Sequence, residues 1–270
     1  MSVAATHAPT RIQPSFREKV WGSTRLSPWF EDNDKKIGEV WFDLESPGFP
    51  ILTKFIFTTE RLSVQVHPGD EYAARHENSR GKTEMWYILR ADPGAQIAVG
   101  LRQDLSSEQL RRASETGQIM DLLNWVDVRP GESFFTPAGT IHAIGAGIAL
   151  AEIQQHSDIT YRLFDYGRPR ELHLEKGVEV SDTRRFSAAP QPDGFIAHCP
   201  YFITEELGIE SPSAYELEAR REHLLILIEG SGSVNAHPAR AGEVWHVPEG
   251  AERFPIEPAQ PMHMLRTYIP

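Results

Sequence analysis

Short runs of β-branched and aromatic residues dominate the chain, at positions 54–57, 62–66, 85–89, 133–136, 149–154 and 223–228. Gly, Pro or Asp punctuates the gaps, and short strands spaced in this way predict an all-β sandwich or barrel. One stretch departs from the pattern. Ser106 and Gln109 have the spacing of a helix capping box, with Leu110, Ile119, Leu122 and Leu123 recurring behind them. A short helical insertion around residues 103–125 is expected, its first helix stopped at Gly117, with 123–126 leading back into strand. Residues 184–194 hold two prolines and a glycine without periodicity and have the character of a linker. A boundary near residue 188 would divide the chain into units 1–187 and 188–270.

The two units share a pattern. Residues 129–142 lie over 240–253 without a gap, so that Gly131, Glu132, Pro137 and Gly139 match Gly242, Glu243, Pro248 and Gly250. In this overlay His142 falls on Arg253, and nothing like Gln65-Val66-His67 precedes the second copy. Any metal chemistry therefore belongs to the first unit, and the second is expected to be structural.

Strand alternation puts Gln65 and His67 on one face and Val64 and Val66 on the other. Glu84 opens another strand in line with Trp86 and Ile88, and a carboxylate in such company needs a cation or a hydrogen-bond donor. His142 follows the turn-rich Pro137-Ala138-Gly139-Thr140, which lets a strand begin sharply. Together Gln65, His67, Glu84 and His142 offer two imidazoles, a carboxylate and an amide oxygen. That donor set suits zinc, and a two-histidine, one-carboxylate site equally suits non-haem iron. Downstream, Glu152 shares a strand face with Leu150 and Gln154, while Arg162 and Arg168 lie among aromatic residues. Fork-shaped guanidinium groups suit a phosphate or a developing oxyanion. The structural alternative for Arg162 is an ion pair with Glu152 or Asp158.

Composition narrows the partners. At 40% hydrophobic and 24% charged the chain is ordinary globular material, neither disordered nor coiled coil. A formal charge of −11 argues against nucleic acid and anionic membranes as partners, since both need a basic surface. A small anion held by a few focused cations remains compatible. The single cysteine, Cys199, excludes an intramolecular disulfide and multi-cysteine zinc sites. With no basic-then-apolar segment at the start and only strand-length apolar runs, a cytoplasmic protein without membrane spans is expected.

Several motifs are specific enough to carry a family resemblance. Residues 62–73 (Leu-Ser-Val-Gln-Val-His-Pro-Gly-Asp-Glu-Tyr-Ala), 81–88 (Gly-Lys-Thr-Glu-Met-Trp-Tyr-Ile), 137–142 and 152–168 resemble the type I mannose-6-phosphate isomerases, as do 16–22 and 37–41. The similarity spans most of residues 11–170, whereas 190–270 match only as a degenerate β unit. The resemblance implies a tandem cupin (jelly-roll) fold and one zinc ion on Gln65, His67, Glu84 and His142. It implies catalytic roles for Lys82, Glu152 and Arg162. Lys54 and Arg168 are the candidates for the phosphate. The chain resembles the short form, since only the insertion around 103–125 stands where long forms carry a helical domain. Long forms have a histidine where this chain has Gly81, so a proton-transfer role for that histidine does not carry over.

The implied reaction interconverts mannose 6-phosphate and fructose 6-phosphate through an enediolate stabilised by zinc. Arg162 or Lys82 would add positive charge, and Glu152 or a metal-bound hydroxide would move the proton. The expected partner is thus a small phosphorylated sugar, bound by a monomer or weak homodimer. The rivals are an iron-dependent cupin oxygenase using the same ligands and a non-catalytic sugar-phosphate-binding protein. The glutamine ligand with Lys82 and Arg162 nearby favours the isomerase.

Overall fold

The computed structural model describes residues 8–44, 49–188, 190–210, 215–217 and 221–270. Among these residues the strands form three antiparallel sheets. A six-stranded sheet runs in the order Ser15–Ser23, Ile37–Phe42, Ile51–Phe57, Ile148–Gln155, Glu84–Ala91, Ser133–Thr136. A five-stranded sheet faces it, in the order Tyr161–Phe164, Val64–Val66, His142–Ile144, Gln96–Leu101, Leu123–Asp127. The third sheet is built on His223–Val234 and Phe254–Tyr268, and it recruits Thr10–Arg11 from the start of the chain onto Val244–Val247.

Side-chain alternation explains the layering. On Glu84–Ala91, Trp86 and Ile88 point into the space between the six- and five-stranded sheets, where they meet Ile56, Ile97, Val99, Ile144 and Leu150. Met85 and Tyr87 point the other way, onto Leu224, Ile226, Val244 and Leu265 of the third sheet. The six-stranded sheet is therefore buried on both faces, and Ile51–Phe57 and Ile148–Gln155 have no exposed residue. The outer face of the five-stranded sheet is covered by Ser107–Thr116, Ile119–Leu122 and Leu174–Val180 through Leu110, Ala113, Ile119 and Val178.

The insertion forms as the capping pattern requires. Ser106 Oγ accepts from Gln109 N at 3.1 Å while Gln109 Oε1 accepts from Ser106 N at 2.7 Å, and Gly117 ends the helix at φ +80°. Leu123–Asp127 then re-enters the sheet.

The internal overlay holds bond for bond. Gly131 N donates to Ile88 O at 2.9 Å and Gly242 N to Leu227 O at 2.8 Å; Ile88 N donates to Glu132 O and Leu227 N to Glu243 O, both at 2.9 Å. Gly131 and Gly242 sit at φ +89° and +90°, a conformation open to glycine at little cost. Ser133–Thr136 and Val244–Val247 are the corresponding strands. Two helices were not anticipated, Asp70–Glu77 and Leu174–Val180. Each is short, and its apolar positions are too few to give a helical period.

Candidate active site

Two rows of side chains meet across the first barrel. On the five-stranded sheet Gln65 lies directly opposite His142 on one side and Arg162 on the other. On the six-stranded sheet Glu152 lies opposite Lys54 and Trp86, and Gln154 opposite Glu84. Cross-strand pairing sets these neighbours, so their proximity follows from register rather than from sequence spacing.

His67, Glu84 and His142 are buried, and one donor atom from each lies within 4.8 Å of the others. His67 Nδ1–H donates to Ile159 O at 2.7 Å and His142 Nδ1–H to Thr140 O at 2.8 Å. These bonds fix the tautomers so that both Nε2 lone pairs face Glu84, at 3.5 and 3.4 Å from its oxygens. Gln65 presents its amide 3.2 Å from His142 Nε2. Glu84 Oε1 is buried without a hydrogen-bond partner. Burial and the neighbouring charge of Glu152 push the Glu84 carboxyl up to about 7. Burial likewise lowers His142 to about 4, and burial with the Lys82 charge holds His67 well below its usual range. Unprotonated imidazoles converging on an orphaned carboxylate oxygen form a pocket of lone pairs. These residues fit a divalent cation, which would satisfy all of them at once.

Above this cluster opens a cavity of about 250 Å³. Lys19, Lys54, Lys82, Arg162 and Arg170 line it with only three carboxylates, Glu39, Glu152 and Asp158, so a cationic pocket sits in an acidic chain. Lys82 Nζ touches Glu84 and lies 3.1 Å from His67 Nε2. Burial alone would lower the Lys82 ammonium, but Glu152 and Glu84 outweigh it and raise it. Burial alone would raise Glu152, yet the Lys82 and Lys54 charges hold its carboxyl well below the usual carboxylate range. Glu152 Oε1 lies 3.2 Å from Lys54 Nζ, and Trp86 Nε1–H donates to Oε2 at 3.1 Å.

Among the described residues Arg162 makes no ion pair with Glu152 or Asp158. Its Nη1 donates to Glu171 O at 2.7 Å and its Nε is buried without a partner. Arg168 is not brought to the cavity: it donates to Glu60 Oε2 and Arg61 O, both at 2.9 Å. Arg170 takes that place instead, pinned to Asp165 by two 2.6 Å bonds. Lys19, Glu39 and Arg170 are the charged lining residues that sequence reasoning missed. Arg170 belongs to the same arginine-rich run as Arg162 and Arg168, a signal that could have flagged it; nothing local flags Lys19.

Gly81 is sterically required. A Cβ there would stand 2.6 Å from Asp70 N and Gly69 C, so no side chain fits at this position. Asp70 Oδ1 accepts from Gly81 N at 2.7 Å and from Gln155 Nε2 at 2.9 Å, and Gln155 Oε1 accepts from Thr83 N at 2.9 Å. Lys82 is thereby held between two tethered residues.

No family model matches the chain. Over 93% of its length it is 33% identical to the mannose-6-phosphate isomerase ManA of Bacillus subtilis, covering 96% of that protein. The chain belongs to the mannose-6-phosphate isomerase family. A mannose-6-phosphate isomerase of Streptococcus mutans is 44% identical over 64% of the chain and 67% of its own length. The solved mannose-6-phosphate isomerase of Bacillus subtilis superposes with a TM-score of 0.87 at 26% identity, over 97% of this chain and 100% of that one. A variant of the Salmonella typhimurium phosphomannose isomerase, only 14% identical, shares the fold at a TM-score of 0.76 over 97% and 99% of the two chains. Family membership makes the chain an isomerase, and the fold of the mannose-6-phosphate isomerase family is the mostly β, cupin-type architecture described above.

Proposed function

We propose that the chain interconverts mannose 6-phosphate and fructose 6-phosphate, using a zinc ion held by Gln65, His67, Glu84 and His142. The observation that carries this reading is the convergence of three buried donor atoms, touched by Gln65 and Lys82, which also line a cationic cavity. When bound, the metal supplies Lewis acidity at the carbonyl and adjacent hydroxyl oxygens of the sugar. The chain's own groups do the rest. Lys82 and Arg162 add positive charge where negative charge develops on those oxygens. Glu152, kept ionised by Lys82 and Lys54, accepts the proton at one sugar carbon and returns it at the neighbouring one. Arg170, with Lys54 from within the cavity, receives the phosphate, in place of the Arg168 expected from sequence.

A coupled assay for fructose 6-phosphate formation tests this. Chelation is expected to abolish turnover at least 100-fold, with zinc restoring it, and Glu84→Gln is expected to lose both metal and activity. Undiminished turnover by the metal-free chain would remove the metal from the mechanism, and normal isomerisation by a fully metal-loaded Glu84→Gln variant would remove Glu84 as a required ligand. Metal analysis with an oxygen electrode separates zinc isomerase from iron oxygenase.

A further inference from the structure

Across the inner face of the six-stranded sheet, Trp41 stands opposite Lys54, Lys54 opposite Glu152, and Glu152 opposite Trp86. A buried ammonium–carboxylate pair thus lies between two indoles. Lys54 Nζ sits 4.5 Å from the centroid of the Trp41 ring and 3.2 Å from Glu152 Oε1. Among the described residues these are its only close partners. Trp41 is itself anchored: its Nε1–H donates to Glu39 Oε2 at 2.8 Å, and Lys19 Nζ holds that oxygen at 3.2 Å. An aromatic face attracts a cation without consuming an N–H donor, whereas a second carboxylate would take a donor and neutralise the charge.

We propose that Trp41 is a positioning residue, whose ring fixes the Lys54 ammonium against Glu152 while leaving N–H donors of Lys54 directed at the cavity for oxygens of a phosphorylated sugar. The identity of the sugar rests on the isomerase reading; the clamp on Lys54 does not.

Two measurements on the full, metal-loaded chain separate the two ideas. Competitive acylation by acetic anhydride, read by mass spectrometry, reports access to Lys54, whose side chain is 4% exposed. Trp41→Leu is expected to accelerate Lys54 acylation at least fivefold, Trp41→Phe less than twofold, with exposed Lys36 unchanged in both. In steady state with mannose 6-phosphate, Trp41→Leu is expected to raise KM about five- to thirtyfold with kcat within threefold, a range matching a cation–π contact. Trp41→Phe is expected to restore KM; a merely structural role would lower the folded fraction and hence kcat instead. Unchanged Lys54 acylation in Trp41→Leu overturns the clamp, and so does equal acceleration in the Leu and Phe variants, which would assign the effect to the Glu39 bond. If Trp41→Leu does not fold, Trp41→Met removes the ring with less loss of bulk and is judged by the same acylation ratio. Absence of turnover by the unsubstituted chain overturns the isomerase reading and leaves the acylation result to decide the clamp.

Discussion

His223 occupies, in the second copy of the β unit, the place that Glu84 holds in the first. Glu84 pairs with Thr136, His223 pairs with Val247, and the internal overlay puts Thr136 on Val247. The same register puts Arg266 where Glu152 stands and Glu205 where Lys54 stands, so the cross-strand ion pair is inverted in sign. A guanidinium thus takes the place of the carboxylate, and Arg253 stands where the overlay puts His142, so the second copy lacks the cluster's donor set. His223 is fully buried; its Nδ1–H donates to Arg221 O at 2.9 Å and its Nε2 has no partner. Burial lowers its pKa to about 4, assisted by the charges of Arg266 and His246, against the Arg221 carbonyl; Tyr268 pairs with it from the adjacent strand. A folded pKa below the unfolded value of about 6.5 means that the folded state binds fewer protons. The associated stability is complete above that value and is lost as pH falls toward 4. Between pH 7 and 5 the loss is roughly 1–2 kcal/mol. His223→Asn keeps a donor near the Arg221 carbonyl and does not titrate. Urea midpoints at the two pH values should show the native chain losing that much more stability than the variant. At this scale part of the cluster was legible, because alternation alone puts Gln65 and His67 on one face, and His67 does converge with Glu84 and His142. Trp41 and Lys19 were not, since each acquires its meaning only from the strand set opposite it.

Elements were legible where a local signal sufficed. The capping box at Ser106 and Gln109, the stop at Gly117 and the return at Leu123 formed as the side chains required. Residues 133–136 matched their strand to the residue, 62–66 shortened to Val64–Val66, and the other predicted strands proved longer than their most apolar stretches. Phe254–Tyr268 escaped notice because Pro255, Pro258 and Pro261 break its pattern; the strand tolerates them by shifting register against His223–Val234 at three places. Ser15–Ser23 escaped because it is an edge strand whose first half is largely exposed. The insertion also supplies a test. Ser106→Ala removes the acceptor for Gln109 N–H and should lower stability by about 1 kcal/mol in urea unfolding. The helix packs on the outer face of the five-stranded sheet, behind the site, so kcat/KM should stay within twofold.

The whole molecule is a stack of helices, five-stranded sheet, six-stranded sheet and C-terminal sheet, and the middle sheet needs both neighbours. Phe55, Phe57, Met85, Tyr87 and Ile153 on its outer face pack on Phe202, Leu224, Ile226, Ile228, Val244 and Leu265. The start of the chain stitches the layers together: Arg11 pairs with Glu243 at 2.8 Å, and Trp29 Nε1–H donates to Ile228 O at 2.8 Å. All proposed metal ligands precede residue 188, the boundary inferred from sequence. We propose that this boundary separates two copies of a pattern but not two folding units. Exposing a large apolar side chain costs about 1.5–3 kcal/mol, so uncovering five of them rivals the roughly 5–15 kcal/mol that stabilises a typical domain. A chain ending at residue 187 should therefore lack near-ultraviolet circular dichroism, bind a hydrophobic dye and fail to recover on adding zinc, whereas supplying residues 188–270 as a second chain should rescue it. A truncated chain that folds and binds metal alone would make the first barrel an independent domain, with the C-terminal sheet an accessory rather than the wall against which the active-site sheet is held.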